Sequence, residues 1–199
     1  MNLPNSLTVT RIFLVPLLVV VLLTKFEGHQ ILGVSKDIVG ALIFALASLT
    51  DWADGYLARR RKQITPLGQV IDPLADKLLT SAALISLVQL DLAQSWMVAV
   101  IIGREFAVTT LRSLAYARGV AMPASPLGKI KMVAQVVAIL ALILAHAQPW
   151  PFYWIGQVAL WIVVTAALVS AADYFRRFND ILSPRVAEFR DPRTDRKAG

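Results

Sequence analysis

DWADGYLARRRKQITPLGQVIDPLAD, residues 51–76, places four carboxylates, Asp51, Asp54, Asp72 and Asp76, in one short stretch. Long apolar segments run up to it (Val39–Thr50) and away from it (Leu78–Leu90). An acidic cluster at the edge of a membrane helix is costly unless a cation joins it, so it marks a functional site. Asp51 and Asp54 are three apart and share a helical face, as do Asp72 and Asp76, four apart. Gly55 and Ala58 fall on the face of Asp51 and leave an open floor beside it. The intervening Arg59, Arg60, Arg61, Lys62, Pro66 and Gly68 read as a turn. Two antiparallel helices joined there bring the carboxylate pairs together. Four close carboxylates do not all ionise without countercharge, and an oxygen-only donor set suits two hard divalent cations, Mg²⁺ or Mn²⁺.

Working outward, the composition is that of a membrane protein. The chain has 199 residues, enough for one domain, and 57% of them are hydrophobic; the mean hydropathy is +0.62, too apolar for a soluble domain of this size. Lys and Arg outnumber Asp and Glu by 20 to 13. In a membrane protein that excess points to anionic headgroups or anionic substrates, and not to nucleic acid. There is no cysteine, which excludes disulfides, thiolate chemistry and Cys-based zinc sites. His29 and His146 lie near the ends of apolar segments and read as interfacial polar residues.

Six apolar segments, at about Val9–Thr24, Ile38–Ala58, Pro73–Leu90, Trp96–Ala117, Ile130–Ala147 and Phe152–Ala172, each approach the ~20 residues that cross ~30 Å of hydrocarbon. The fold class expected is an all-α integral membrane protein with six transmembrane helices. Leu22-Leu23-Thr24-Lys25 is a poor signal-peptide cleavage site, so the first segment is a retained span, kinked at Pro16. Basic residues set the orientation. Arg59, Arg60, Arg61 and Lys62 follow helix 2; Arg112, Arg118, Lys129 and Lys131 flank the connection between helices 4 and 5; the tail carries Arg176, Arg177, Arg185, Arg190, Arg193, Arg196 and Lys197. Asp91–Ser95 and Gln148–Pro151 have no Lys or Arg, and Lys25 and Lys36 are balanced by Glu27 and Asp37. Both termini and the aspartates therefore face the cytoplasm, with Trp96, Trp150 and Trp154 at the opposite interface. Residues 1–177 form the transmembrane domain, and 178–199 a basic cytoplasmic tail near anionic lipid.

Other polar residues interrupt the apolar segments. Asn5, Thr8 and Arg11 repeat at three-residue spacing and form either a cap and anchor or a polar edge beside a ligand. Arg104 sits well inside helix 4 beside Glu105, and Arg112, eight residues on, shares its face. A charge this deep points to a cavity or a partner: a structural Arg–carboxylate pair, or a guanidinium fork for phosphate oxygens. Lys129 and Lys131 open helix 5 on different faces, and Gln135 shares the face of Lys131. Of the two, Lys129 is the better candidate for a substrate phosphate, a snorkelling anchor being its bland alternative.

The stretch as a whole reads D-x2-D-G-x2-A-R-x8-G-x3-D-x3-D, and it resembles, without a departure, the signature of the CDP-alcohol phosphotransferase family. Helix caps and surface ion pairs would not require Gly, Ala and Arg at these offsets as well. The resemblance extends over nearly the whole chain. NSLTVTR at the start, GREFAVTTLRSLA in helix 4 and GKIKMVAQ in helix 5 resemble the bacterial members whose acceptor is sn-glycerol 3-phosphate. The resemblance implies transfer of a phosphatidyl group from CDP-diacylglycerol to that alcohol at the inner membrane of a bacterium, with release of CMP. It implies that Asp51, Asp54 and Asp72 hold two metal ions. Asp76 would touch one of them and act as general base. Gly55, Ala58 and Arg59, with Thr65 nearby, would line the CDP-lipid site, to which Asn5, Thr8 and Arg11 add an edge. Arg104, Arg112, Lys129 and Lys131 would serve the acceptor phosphate. A homodimer is implied as well. Two other readings compete: a sibling enzyme using phosphatidylglycerol, inositol phosphate or serine, and a cation or proton transporter. The last leaves Gly55, Ala58 and Arg59 unexplained.

Overall fold

The computed structural model describes residues 3–24, 30, 31, 33–61, 66–117 and 126–182; within its helices the side chains of residues 3–9, 51–74, 76, 116, 117, 126–129 and 177–182 lie outside that description. Among the described residues there are six helices: α1 (Leu3–Leu23), α2 (Lys36–Arg61), α3 (Pro66–Gln89), α4 (Ser95–Ala117), α5 (Pro126–Ala147) and α6 (Pro149–Leu182). A small hairpin of β1 (Gln30–Ile31) and β2 (Val34–Ser35) precedes α2, antiparallel with Gln30 opposite Ser35. Its turn places Gly33 at φ +81°, a conformation open to a residue without a Cβ. Two residues per strand leave no alternating pattern to read, so the hairpin is invisible in the sequence.

Each expected helix is present, and the differences lie at the ends. Helix α1 begins at Leu3 and runs through Pro16, so Asn5 and Thr8 are inside the helix and do not cap it. Helix α3 begins at Pro66, seven residues before the apolar pattern. Proline is tolerated at a first helical position, where its missing N–H has no intrahelical role. Arg59, Arg60 and Arg61 belong to α2, while Pro66 and Gly68 belong to α3. Helical backbone therefore extends into the charged run from both sides, and residues 62–65 lie outside the described part. Helix α6 has a non-helical residue at Trp150 and then continues to Leu182, beyond the apolar segment.

The core gathers Leu18 and Leu22 of α1, Phe44 and Ala47 of α2, and Leu79, Ala83 and Leu87 of α3 with Met97 and Ile101 of α4, Ile139 and Leu142 of α5, and Leu160 and Val163 of α6. The closest pairing is α5 with α6. Small residues there, Ala138, Ala141, Ala145, Ala159 and Ala167, are buried and let the two backbones approach. Gly156 lies so close to Leu142 that an added Cβ would fall 2.6 Å from Leu142 Cγ.

The outer face is apolar. Phe13, Leu17 and Val20 of α1, Val133 and Val137 of α5, and Trp154, Val158, Trp161, Ile162 and Val169 of α6 are all exposed. A soluble monomer does not present so large a contiguous apolar surface. Among the described residues, Ile130–Ala147 and Pro149–Arg176 are long and apolar enough to cross a membrane, and Thr10–Leu23 and Lys77–Gln89 are shorter apolar stretches. Arg104, Glu105 and Arg112 interrupt the apolar run of α4.

The two ends of the bundle differ. At one end the odd connections are tied together by polar contacts. Lys36 Nζ donates to the backbone carbonyls of Leu22 at 3.1 Å and Thr24 at 3.3 Å, supplying donors for carbonyls that the end of α1 leaves open. Asp37 Oδ1 meets His146 Nδ1 at 3.0 Å, and Ser35 Oγ donates to Asp37 Oδ2 at 3.3 Å. Gln157 Nε2 donates to the Leu92 carbonyl at 2.8 Å, which joins α6 to the α3–α4 turn. There Asp91 adopts φ +57°. Trp96 packs edge-on against Trp161 with ring centroids 5.7 Å apart. The α2–α3 and α4–α5 connections lie at the other end.

Candidate active site

The four aspartates sit on regular helix. Asp51 and Asp54 lie in the second half of α2, and Asp72 and Asp76 in the first half of α3. The three- and four-residue spacings are thus carried on helical backbone, on two consecutive helices that pack on each other. Their side chains lie outside the described residues, as do those of Gly55, Ala58 and Arg59 of α2, Asn5 and Thr8 of α1, and Lys129 of α5. Thr65 is outside the described residues altogether. Carboxylates alone are an all-oxygen donor type, the kind that suits hard divalent cations. Among the described residues there is no group of three or more His, Cys, Asp or Glu that could hold a metal ion.

The cationic half of the site is described in detail. Arg104 of α4 reaches in two directions. Its Nη1 lies 3.4 Å from Glu105 Oε1, and its Nη2 donates to Ser170 Oγ of α6. Ser170 is fully buried. The Arg104 side chain is 10% exposed, and its Nε is buried without a hydrogen-bond partner among the described residues. Glu105 Oε1 also forms an ion pair with Lys131 Nζ of α5, whose side chain is 5% exposed. Arg104 and Lys131, two of the four residues expected at the acceptor phosphate, therefore converge on one carboxylate. Arg112 is exposed, and it and the buried Tyr174 lie within electrostatic reach of Arg104. Gln135 is buried with Lys131, in keeping with their shared face. Arg11 of α1 is also buried.

A further contact links the two halves. Lys77, next to Asp76 on α3, donates to Thr109 Oγ1 of α4. Thr109 Oγ1 in turn donates to the carbonyl of Glu105 at 2.8 Å, and Lys77 Nζ stands 5.9 Å from the centre of the Phe106 ring. The helix of Asp72 and Asp76 is thereby tied to the helix of Arg104. Lys77, Thr109, Ser170 and Tyr174 had no local sequence signal. Ser170 and Tyr174 lie in an apolar run where polar side chains usually bond their own backbone, and only tertiary packing shows that Ser170 meets an arginine 66 residues away.

The sequence profile of the CDP-alcohol phosphatidyltransferase family matches residues 1–170. The chain belongs to this family. Among its relatives, a protein of Bacillus subtilis named CDP-diacylglycerol–glycerol-3-phosphate 3-phosphatidyltransferase is 46% identical over 184 residues, covering 88% of this chain and 94% of the relative. Proteins of the same name from Rickettsia felis and Pseudomonas fluorescens are 35% and 36% identical. Each alignment covers 88% of this chain, and 94% and 89% of the respective relative. As a CDP-alcohol phosphatidyltransferase, the chain carries the aspartate motif on α2 and α3 and the Arg104–Glu105–Lys131 cluster on α4 and α5, all within the matched region.

Proposed function

We propose that this enzyme transfers the phosphatidyl group of CDP-diacylglycerol to sn-glycerol 3-phosphate, giving phosphatidylglycerophosphate and CMP. The observation that carries the acceptor assignment is the convergence of Arg104 and the buried Lys131 on Glu105, between α4 and α5. A phosphate-bearing alcohol needs fixed cations, and guanidinium and ammonium groups are the side chains that provide them. Relatives named for the same reaction, over nearly their whole length, support the assignment.

In this reading Asp51, Asp54, Asp72 and Asp76 would hold two divalent cations, Mg²⁺ or Mn²⁺. Cations held there would neutralise the diphosphate and the departing CMP. Gly55, Ala58, Arg59 and Thr65 receive the cytidine diphosphate, with Asn5, Thr8 and Arg11 along its edge. Arg104, Arg112, Lys131 and Lys129 hold the acceptor phosphate, which aims the primary hydroxyl at the phosphorus that carries diacylglycerol. The hydroxyl oxygen forms the new P–O bond, its proton passes to the Asp76 carboxylate, and the bond from phosphorus to the CMP oxygen breaks.

All six helices cross the membrane, with both termini and the aspartates cytoplasmic. The basic connections lie at the aspartate end, and the exposed Trp96, Trp150 and Trp154 belong to the opposite end. This arrangement opens the site to soluble acceptor from the cytoplasm and to lipid from the side. The bacterial relatives and the apolar helices support a location in the inner membrane of a bacterium.

The test is CMP release by purified protein in detergent with CDP-diacylglycerol and Mg²⁺. Glycerol 3-phosphate, inositol phosphate, phosphatidylglycerol and serine are offered separately, and the lipid products are identified by mass. Release with glycerol 3-phosphate alone is expected. Release with a different acceptor would overturn the acceptor assignment while leaving the donor and metal assignments in place.

A further inference from the structure

We infer that Glu105 is a positioning residue for the acceptor phosphate, and that with Ser170 it presents Arg104 and Lys131 as one preset cationic clamp. The inference rests on the acceptor reading above. Three observations carry it. First, Glu105 Oε1 is shared: it pairs with Lys131 of α5 and lies 3.4 Å from Arg104 Nη1 of its own helix. One carboxylate oxygen thus fixes the separation of two cations that reach the site from different helices. Second, the far side of the guanidinium is held by Ser170 of α6, so Arg104 is gripped from two directions. Third, Arg104 Nε, although buried, has no hydrogen-bond partner among the described residues. Buried donors are almost always satisfied, and Nε is thus a donor left for an incoming oxygen.

The charges fit a phosphate. Arg104 and Lys131 bring two positive charges to one carboxylate, Glu105, and a phosphate oxygen is a natural further partner for such a pair. Two cations this close with no carboxylate between them would repel. Glu105 holds both in place before the acceptor arrives. Lys and Arg side chains lose much rotamer freedom when ordered, and Glu105 and Ser170 meet that cost in the free enzyme. The expected consequence is selective: the Michaelis constant for glycerol 3-phosphate depends on Glu105, and that for CDP-diacylglycerol does not.

The full-length protein in mixed micelles is assayed as Glu105→Gln, Ser170→Ala and Arg104→Ala, with kcat and KM for each substrate and the melting temperature of each variant. Glu105→Gln is expected to raise KM for glycerol 3-phosphate roughly tenfold, with KM for CDP-diacylglycerol changed less than about twofold. Ser170→Ala is expected to produce the same selective change at about threefold. If Glu105→Gln cannot be isolated folded, Glu105→Asp takes its place. It keeps the charge but falls short of Lys131, and the same selective rise is expected. Unchanged KM for glycerol 3-phosphate, or equal losses for both substrates together with a lower melting temperature, would overturn the inference and leave Glu105 a structural ion-pair residue. Arg104→Ala separates this from failure of the acceptor reading. If Arg104→Ala raises KM for glycerol 3-phosphate selectively and Glu105→Gln does not, the positioning role alone falls. If Arg104→Ala is not selective either, the acceptor site lies elsewhere and both readings fall.

Discussion

Gly156→Ala tests whether the α5–α6 contact is as tight as it looks. A Cβ at position 156 would stand 2.6 Å from both Leu142 Cγ and Cδ2, and 3.1 Å from the Leu142 backbone nitrogen. Leu142 is fully buried, so its side chain cannot turn away into open space, and the backbone nitrogen moves only if the helices separate. Overpacking of this kind costs about 1–3 kcal/mol. Alanine recovers about 1 kcal/mol over glycine in helix propensity, which leaves a net loss of up to about 2 kcal/mol. For a chain of this length that is a fall in melting temperature of up to about 8 °C. Two other glycines give the internal scale. Gly103 of α4 has nothing within 4 Å of an added Cβ, so Gly103→Ala keeps only the propensity gain and should melt slightly higher than the parent. A Cβ added at Gly40 of α2 would fall 2.6 Å from Leu22 Cδ2 but 3.4 Å from Leu22 Cγ, with no backbone atom among its nearest neighbours. The clash there is with a single terminal methyl group, so Gly40→Ala should fall between the two. Melting of the three variants in one detergent gives the order. If Gly156→Ala melts at or above Gly103→Ala, the two helices are not in the contact described, and the steric argument fails.

Three further predictions concern the site and its scaffold. Lys36→Met removes the donors for the Leu22 and Thr24 carbonyls; hydrogen bonds from a charged group are worth about 1.5–3 kcal/mol each, so a clear drop in melting temperature is expected with kcat unchanged, and an unaltered melting curve would refute the capping role. Asp76→Asn should abolish CMP release while donor binding persists, and substantial residual turnover would remove its assignment as the base. Exhaustive chelation should stop turnover, and Mg²⁺ or Mn²⁺ should restore it; activity that survives chelation, or returns only with Zn²⁺, would contradict the hard-cation assignment.

How much of this was legible in the sequence depends on the range of the interaction. The helices follow from apolar runs bounded by Gly, Pro and charge, and all six occur, with the larger departures at the starts of α1 and α3 and the end of α6. At the start of α3 the apolar signal fails because Gly68, Gln69 and Asp72 are polar although the backbone is already helical from Pro66. The aspartate motif is legible for the same local reason: its spacings are those of one helical face. The buried partners are another matter. That Arg104 sits deep in helix 4 can be read directly, but that its neighbour Glu105 is shared with Lys131 of the next helix depends on how α4 and α5 meet. No periodicity encodes that register. The partnership of Asp37 with His146, 109 residues apart, is hidden in the same way.

The distribution of charge along the bundle ties these contacts to function. At one end Lys36, Asp37 and His146 are satisfied by one another and by the chain's own carbonyls. Such a closed set leaves no charge to recruit a substrate, and it suits a scaffold that only needs to hold α1, α2 and α5 together. At the other end Glu105 is shared by two cations that reach it from different helices, Arg104 of α4 and Lys131 of α5, and the motif aspartates lie on α2 and α3. In the proposed reading divalent cations on the aspartate side and a phosphate on the arginine side are what these groups would receive. The two sides fail separately: chelation acts on the first, and Glu105→Gln on the second.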